Sequence, residues 1–284
     1  MNRNKKHRTE RVQAAVLAAA MVLSGMPSSA MAANVDQPEL RQLAQAEVMT
    51  GERKISFNED WRFYRETEGS IQAEGKDFDD SQWRTVTLPH DYSIELDFDR
   101  SSPAGSGGGF LNGGVGWYRK TFVLPESMKG KRISVDFGGV YMDSTTYVNG
   151  EMIGNYPYGY SPFAYDITDQ LVADGVTENV IAVRVNNQLP SSRWYSGSGI
   201  YRNVNLVVTD DVHVERYGTF VKTPDLEEHY AKNEAVVTVE TKVANDGALP
   251  ANAVVTSTIY DSEGNQFADP VTTEAREIAA GIRP

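Results

Sequence analysis

The sequence predicts an all-β protein made of two sandwich domains in succession. Its apolar residues fall in short alternating runs, and Gly, Pro, Asn and Asp bound these runs, which is the pattern of antiparallel strands. Neither domain carries an amphipathic helix of ordinary length, which argues against a barrel surrounded by helices.

Residues 1–33 are predicted to be a secretory signal peptide. A basic start that includes Arg3 and Arg11 precedes the apolar run Val12 to Leu23, and small residues suited to cleavage follow it. The run is too short to cross a bilayer comfortably, and an amphipathic N-terminal helix is the alternative. We therefore expect a secreted, periplasmic or cell-surface protein without membrane insertion. Residues 34–53 form a lead segment without a clear period.

The first domain is predicted to span residues 54–210. Ile133, Val135 and Phe137 alternate with polar residues, which indicates a strand with one buried face. Ile181, Val183 and Val185 alternate in the same way, with Ala182 and Arg184 predicted to face outward. The segment Ser144 to Gly154 is predicted to be a hairpin, because Asn149-Gly150 suits the positive φ angles of a two-residue primed turn. A further strand is expected over Val204, Leu206 and Val208.

The second domain is predicted to span residues 211–284. Val237, Val239, Thr241 and Val243 face one way, and a turn at Asn245-Asp246-Gly247 precedes a strand near Ala253 to Tyr260. This pattern resembles the start of an immunoglobulin-like sandwich, which needs seven strands and roughly 100 residues. The 74 residues after position 210 are fewer, so we expect this domain to be incomplete.

Composition narrows the possible partners. The 284 residues carry a formal net charge of −12, and removing residues 1–33, with five basic residues and the acidic Glu10, changes it to −16. This acidic balance disfavours nucleic-acid and anionic-membrane partners. The absence of cysteine excludes disulfides, thiolate metal sites and cysteine nucleophiles. The composition suits neutral ligands.

No motif by itself defines a catalytic or metal centre. His90, His213 and His229 lack metal-ligand spacing, so we expect neither a metal nor a cofactor. The glycine-rich run 105–116 lacks the Gly-Lys-Ser/Thr ending of a phosphate loop and precedes a strand near Trp117, so it is interpreted as an ordinary loop. Carboxylates are abundant, but sequence alone pairs no two of them.

The segment from Val185 to Val204 is the most informative. It predicts a long loop between two strands and contains Arg193 and Trp194. Aromatic faces and planar guanidinium donors both suit a hydroxyl-rich ligand. The alternative, equally weighted, is that Trp194 plugs the end of the sandwich while Arg193 pairs with an acid. Five aromatic residues leave a similar choice, with core packing favoured: Tyr156, Tyr158, Tyr160, Phe163 and Tyr165.

Several motifs occur together in an order that resembles family 2 glycoside hydrolases, and in particular their bacterial β-galactosidases. The resemblance covers residues 55 to 284, and its motifs are the following: Phe57-Asn58-Glu59-Asp60 with Trp61, Leu88-Pro89-His90-Asp91-Tyr92, Gly114 to Lys120, Val148-Asn149-Gly150, Gly159 to Phe163 with Asp166-Ile167-Thr168, and Arg193 to Arg202. The resemblance implies a jelly-roll (galactose-binding-like) sandwich followed by a partial immunoglobulin-like sandwich. In such enzymes a (β/α)₈ barrel follows and carries two catalytic glutamates, and this chain is expected to lack it.

The resemblance implies retaining hydrolysis of terminal β-galactosides through a covalent glycosyl-enzyme intermediate. It implies that Arg193, with Trp194 and Asp91, contacts the sugar, while no catalytic residue belongs to this chain. The dipeptides Asn58-Glu59 and Asn233-Glu234 match the family's acid/base pattern but are interpreted as coincidences, because both fall in β domains.

Three hypotheses on function remain at this point. The first is the inactive N-terminal portion of a glycosidase, whose intramolecular partner is the missing barrel. The second is a secreted carbohydrate-binding module without hydrolase activity, and the third is a structural or adhesive module. The expected incomplete second domain favours the first. The choice among galactoside, glucuronide and mannoside, the metal dependence and the oligomeric state stay open.

Overall fold

The computed structural model describes residues 10–15, 53–67 and 69–281. The chain divides into two units, one of residues Val35–Thr209 and one of residues Met1–Asn34 with Asp210–Pro284. Both are built from β-strands, and the described residues contain a single α-helix of five residues. No helix in these ranges is long and apolar enough to cross a membrane. The predicted all-β fold is confirmed.

The first unit is a sandwich of two antiparallel sheets. Its strands are β2 (Lys54–Ser56), β3 (Trp61–Arg65), β4 (Arg84–Val86), β5 (Gly114–Val123), β6 (Arg132–Phe137), β7 (Ser144–Val148), β8 (Glu151–Tyr156), β9 (Phe163–Asp166), β10 (Glu178–Asn187) and β11 (Val204–Thr209). One sheet has the order β4-β3-β5-β10-β7-β8 and the other has the order β2-β11-β6-β9. Short 3₁₀ helices at Glu126–Met128 and Thr168–Gln170 lie in the connections after β5 and β9.

The core of this sandwich lies between the two sheets, as the alternating strands predict. Ile133, Val135 and Phe137 on β6 are buried. They share one apolar cluster with the inward residues of β10, whose Ile181, Val183 and Val185 were predicted to face it. Each strand therefore contributes every second side chain to a common core.

The prediction that Ala182 lies on an exposed face was wrong. Ala182 is buried in a second apolar cluster on the outer side of the larger sheet, together with Trp83 and Trp117. The segment 71–83 covers this face and is held in place by Arg119, whose guanidinium pairs with Asp80 at 2.8 Å. Arg119 also donates to the backbone oxygens of Ala73, Gly75, Lys76 and Phe78. Alternation along a strand cannot reveal such a covering segment, because both faces are then buried.

The predicted hairpin is confirmed. Strands β7 and β8 pair across Asn149 and Gly150, which have φ angles of 49° and 89°. Two positive φ values define the type I′ turn, whose twist matches that of the flanking strands. The Asn149 side chain strengthens the turn by accepting from the backbone N–H of Val180 at 2.8 Å.

The second unit contains a three-stranded antiparallel sheet of order β1-β13-β12, formed by β1 (Glu10–Ala15), β12 (Val212–Lys222) and β13 (Thr238–Asn245). On β13, Val239, Thr241 and Val243 are buried, as the alternation predicted. The short helix α1 (Leu226–Tyr230) lies between β12 and β13. Two small ribbons follow, one of β14 (Ala251–Ala253) with β17 (Arg276–Ile278) and one of β15 (Thr256–Ser257) with β16 (Val271–Thr272). The continuous strand expected from Ala253 to Tyr260 is thus divided into short pieces.

The predicted signal peptide and lead segment lie mostly outside the described residues. From the first, only Glu10–Ala15 is described, and its backbone pairs antiparallel with β13. From the lead segment, only Arg53 is described.

Candidate functional site

The candidate site lies at one end of the first sandwich, where several loops meet. Asn187 at the end of β10 pairs with Gly114 at the start of β5, so the loop 188–203 after β10 and the segment 87–113 before β5 lie at the same end. Backbone hydrogen bonds join the two segments, from His90 to Ile200 at 2.8 Å and from Tyr92 to Ser198 at 2.9 Å. The predicted residues Asp91, Arg193 and Trp194 therefore belong to one group of loops.

Asp91 is held by hydrogen bonds from both segments. Its Oδ1 accepts from the backbone N–H groups of Ser93 and Ser198, each at 2.9 Å. Its Oδ2 accepts from the Tyr195 hydroxyl. Burial, followed by the hydrogen bond to Asp91 and the nearby charge, raises the pKa of Tyr195 above the usual range for tyrosine. Asp91 is thus a fixed carboxylate that orders the loop 188–203.

Trp194 presents an exposed aromatic face. Its side chain is 60% exposed, while its indole Nε1 donates to the Tyr160 hydroxyl at 3.1 Å. Tyr160 in turn contacts the rings of Tyr141 and Tyr158, with centroid distances of 5.2 and 5.8 Å. The indole is therefore oriented by a polar contact at its edge, and the alternative that Trp194 plugs the sandwich is wrong.

The five aromatic residues for which core packing was favoured divide into two groups. Phe163 is buried, and Tyr156 stacks on it with a centroid distance of 4.3 Å, while Tyr165 packs against the same core. Tyr158 and Tyr160 are 57% and 40% exposed, and the Tyr160 hydroxyl accepts from Trp194 in the loop 188–203. The regular spacing of Tyr156, Tyr158 and Tyr160 hides this division, because strand β8 ends at Tyr156.

Arg193 is exposed, and its guanidinium has no hydrogen-bond or ion-pair partner among the residues that the structure describes. The alternative in which an acidic residue pairs with Arg193 is therefore wrong for the described part of the chain. Five N–H donors remain available on a planar group, which suits hydroxyl or carboxylate oxygens of a ligand.

His90, next to Asp91, belongs to a polar cluster at the edge of the site. Its Nε2 lies 3.1 Å from Glu95 Oε1 and 3.2 Å from Arg84, and Arg84 also pairs with Glu95. Its Nδ1 lies 2.7 Å from the buried Tyr118 hydroxyl. Burial lowers the pKa of His90 despite the neighbouring Glu95 carboxylate. His90 thus has a structural role, as its isolation in the sequence indicated.

The glycine-rich loop, residues 99–113, packs closely against the backbone of the loop 188–203. A Cβ on Gly107 would lie 2.8 Å from the backbone oxygen of Arg193, and one on Gly113 would lie 2.6 Å from that of Asn187. Such distances leave no room for a side chain, so glycine permits the close approach. The loop lies between β4 and β5, and its glycines serve packing of one loop on another.

Sequence reasoning missed Tyr195 as a site residue and favoured core packing for Tyr160. Both belong to motifs of the family resemblance, but neither spacing nor residue type shows that Tyr195 contacts Asp91 and Tyr160 contacts Trp194. Among residues 10–15, 53–67 and 69–281, no group of three or more His, Asp or Glu side chains is arranged to hold a metal ion.

Comparisons with known proteins place this chain in a family. Residues 56–210 match the domain family described as "Glycosyl hydrolases family 2, sugar binding domain". The chain is 44% identical over 229 residues to beta-galactosidase BoGH2A of Bacteroides ovatus, covering 80% of this chain and 26% of that protein. It is 40% identical over 191 residues to a putative beta-glucuronidase of Formosa agariphila, covering 67% of this chain and 18% of the relative.

Solved structures show the same likeness. A family 2 glycosyl hydrolase of Bacteroides cellulosilyticus superposes with a TM-score of 0.71 at 39% identity, covering 80% of this chain and 30% of that one. A beta-glucuronidase of the same family gives a TM-score of 0.70 at 29% identity, covering 81% and 25%. The chain thus spans about a quarter of the length of these relatives. The jelly-roll sandwich with its site loops is the sugar-binding domain of that family, and the chain belongs to glycoside hydrolase family 2.

Proposed function

We propose that this chain is the N-terminal, non-catalytic portion of a retaining glycosidase that hydrolyses terminal β-galactosides, and that its site loops support the sugar subsite. The observation that carries the proposal is the exposed Trp194 indole, oriented by Tyr160, on a loop that also carries Arg193, whose guanidinium has no partner among the described residues. An aromatic face and a planar donor are the two groups that a neutral sugar ring needs.

Each residue has a distinct role in this proposal. The Trp194 ring stacks on the C–H face of the sugar, while Arg193 donates to ring hydroxyls. Asp91 fixes the loop through Ser198 and Tyr195, and its carboxylate is available to accept from a sugar hydroxyl. These groups bind and orient the sugar; the bond-breaking step requires two further carboxyl groups.

The two Asn-Glu dipeptides of this chain do not suit that step. Glu59 is exposed and accepts from the Thr87 hydroxyl at 2.8 Å. Glu234 lies 3.8 Å from His229 on the second unit. We therefore propose that both catalytic carboxylates, one as nucleophile and one as acid and then base, lie on a barrel domain outside this chain. The isolated chain is accordingly expected to be inactive, and the segment 1–33 supports export.

A glucuronide is the second candidate substrate, because some of the matching relatives are named beta-glucuronidase. The specific observation in its favour is that the Arg193 guanidinium has no partner in the described part of the chain, so that it could pair with a uronate carboxylate. The Asp91 carboxylate in the same group of loops and the net charge of −12 oppose an anionic sugar. We therefore place galactoside first.

Fluorescence quenching tests the proposed sugar contact. Of the four tryptophans, Trp61, Trp83 and Trp117 are at most 8% exposed, so acrylamide quenching reports mainly Trp194. Methyl β-galactoside is expected to protect Trp194 from acrylamide, and methyl β-glucuronide is expected to protect it less. Stronger protection by the glucuronide would reverse the order of the two candidates, and no protection by either would contradict the sugar-site proposal.

Variants assign the contact to individual residues. Arg193→Ala is expected to weaken sugar binding by about 1 to 3 kcal/mol, the value of a hydrogen bond from a charged donor. Lys129→Ala, which removes an exposed cation at the opposite end of the sandwich, serves as the matched control and is expected to bind as the parent does. The chain is also expected not to hydrolyse a chromogenic β-galactoside, and turnover above a mock preparation would refute the non-catalytic assignment.

A further inference from the structure

A small cavity lies behind the sugar-facing loop. It has a volume of about 20 Å³, and its lining includes Gly108 of the glycine-rich loop together with Asn187, Ser191 and Tyr195. A cavity needs roughly 10 to 15 Å³ to hold one water molecule. The space therefore accommodates one water molecule and excludes a sugar ring.

Asn187 contributes an unpaired acceptor to this cavity. The residue is 2% exposed, and its Nδ2 donates to the backbone oxygen of Gly197 at 3.0 Å and to Ser198 Oγ at 2.7 Å. These two bonds determine the orientation of the amide, because the flipped amide would place its oxygen against the Gly197 oxygen. Oδ1 is left buried, without a hydrogen-bond partner among the described residues.

Ser191 contributes a second unpaired group to the same cavity. Its Oγ is also buried and lacks a hydrogen-bond partner in the described part of the chain. A hydroxyl both donates and accepts, and Asn187 Oδ1 accepts, yet the two atoms do not bond to each other. Two buried polar atoms on residues that line one water-sized space are an arrangement in which proteins retain an ordered water.

The lining also argues against other small occupants. No Asp or Glu lines the cavity, whereas Ca²⁺ and Mg²⁺ require six or more oxygen ligands, usually with carboxylates among them. An empty polar cavity is disfavoured, because each buried atom would keep its desolvation penalty without a bond.

We propose that Asn187 and Ser191 bind one internal water molecule, which donates to Asn187 Oδ1, bridges to Ser191 Oγ and holds the loop 188–203 against the end of β10. The water joins Asn187, at the end of β10, to Ser191, which lies in the loop just before Arg193 and Trp194. Both residues are thus positioning residues for the sugar-facing side chains; this consequence rests on the proposed function, while the water site itself does not.

A crystal structure of the chain tests the water directly. Density for one water is expected within hydrogen-bond distance of both atoms, about 2.7 to 3.2 Å. An empty cavity, or a Ser191 side chain that bonds directly to Asn187, would overturn the proposal.

Substitution of Ser191 tests the role of the water in solution. Ser191→Ala removes one of its partners, whereas Ser191→Cys keeps the shape and offers only a weak hydrogen-bonding group. Both variants are expected to raise amide exchange of residues 191–197 and acrylamide quenching of Trp194 by about threefold or more in the absence of sugar. Ser127→Ala, in the exposed 3₁₀ helix after β5, is the matched control and is expected to change neither.

Unchanged exchange in Ser191→Ala, or a normal loop in Ser191→Cys with a disordered one in Ser191→Ala, would contradict a role for the hydrogen bonds. Sugar titration of the same variants separates this inference from the proposed function. A visible water and a loosened loop in a chain that binds no sugar would retain the water site and reject the sugar site. Sugar binding by Ser191 variants whose loop is unaffected would retain the sugar site and reject the water site.

Discussion

Asp91 offers the sharpest test of how the site loops are held. Asp91→Ala removes the acceptor for two backbone N–H groups, on Ser93 and Ser198, and for the Tyr195 hydroxyl. Ser93 and Ser198 are 3% and 0% exposed, so their N–H groups lose their partner in a dry environment. Each unsatisfied buried donor costs about 1 to 3 kcal/mol.

Water can enter the space left by the half-buried Asp91 side chain, which reduces this penalty. We therefore expect Asp91→Ala to lower the free energy of unfolding of the first unit by about 2 to 4 kcal/mol. Asp91→Asn keeps one oxygen to accept from both N–H groups, and its amide donates to Tyr195 instead. Its expected loss is about 1 kcal/mol, the difference between a charged and a neutral acceptor.

Urea unfolding followed by tryptophan fluorescence measures these losses. All four tryptophans lie in the unit Val35–Thr209, so the signal reports this unit without the other. Asp97→Ala is the matched control, because Asp97 is an exposed acid on the same segment, and its expected change is within about 0.5 kcal/mol. Equal losses in Asp91→Asn and Asp91→Ala, or a loss below about 1 kcal/mol in Asp91→Ala, would refute the reasoning.

Three further predictions concern the first unit. Arg119→Met should lower the free energy of unfolding by about 3 to 5 kcal/mol, because it leaves Asp80 and four backbone oxygens without their buried donor. Urea unfolding measures this loss, and a loss under about 1 kcal/mol would contradict the prediction. Burial lowers the pKa of His90 below its usual value of about 6.5, so the unfolded chain binds this proton more readily and stability falls as the pH drops from about 6.5 toward the folded pKa. His90→Gln should flatten the dependence between pH 7.5 and 5.5, and an unchanged slope would exclude His90 as its source. Gly150→Ala should cost about 1 kcal/mol in the same assay, because φ is 89° there, whereas no cost would contradict the type I′ turn.

The fold of the first unit was predictable because alternation is a local property. Ile133, Val135 and Phe137 had to share one face of a strand whatever their partners were, and a strand with one apolar face has to pack on another sheet. The turn at Asn149-Gly150 was equally local, since few residues accept two positive φ angles in succession. The covered outer face around Ala182 was not predictable, because the segment that covers it lies about a hundred residues away in the sequence.

The sequence by itself determined the all-β class, the hairpin, the strand faces and the motifs that resemble family 2 glycoside hydrolases. Only the tertiary structure decided which residues form the site: it exposed Trp194, oriented it with Tyr160, joined Asp91 to Tyr195 and left Arg193 without a partner in the described residues. The physical reason is the range of the interactions. Backbone periodicity and turn preferences act between neighbours, whereas these side-chain contacts join residues 34 and 104 positions apart, which meet only after the sheets have formed.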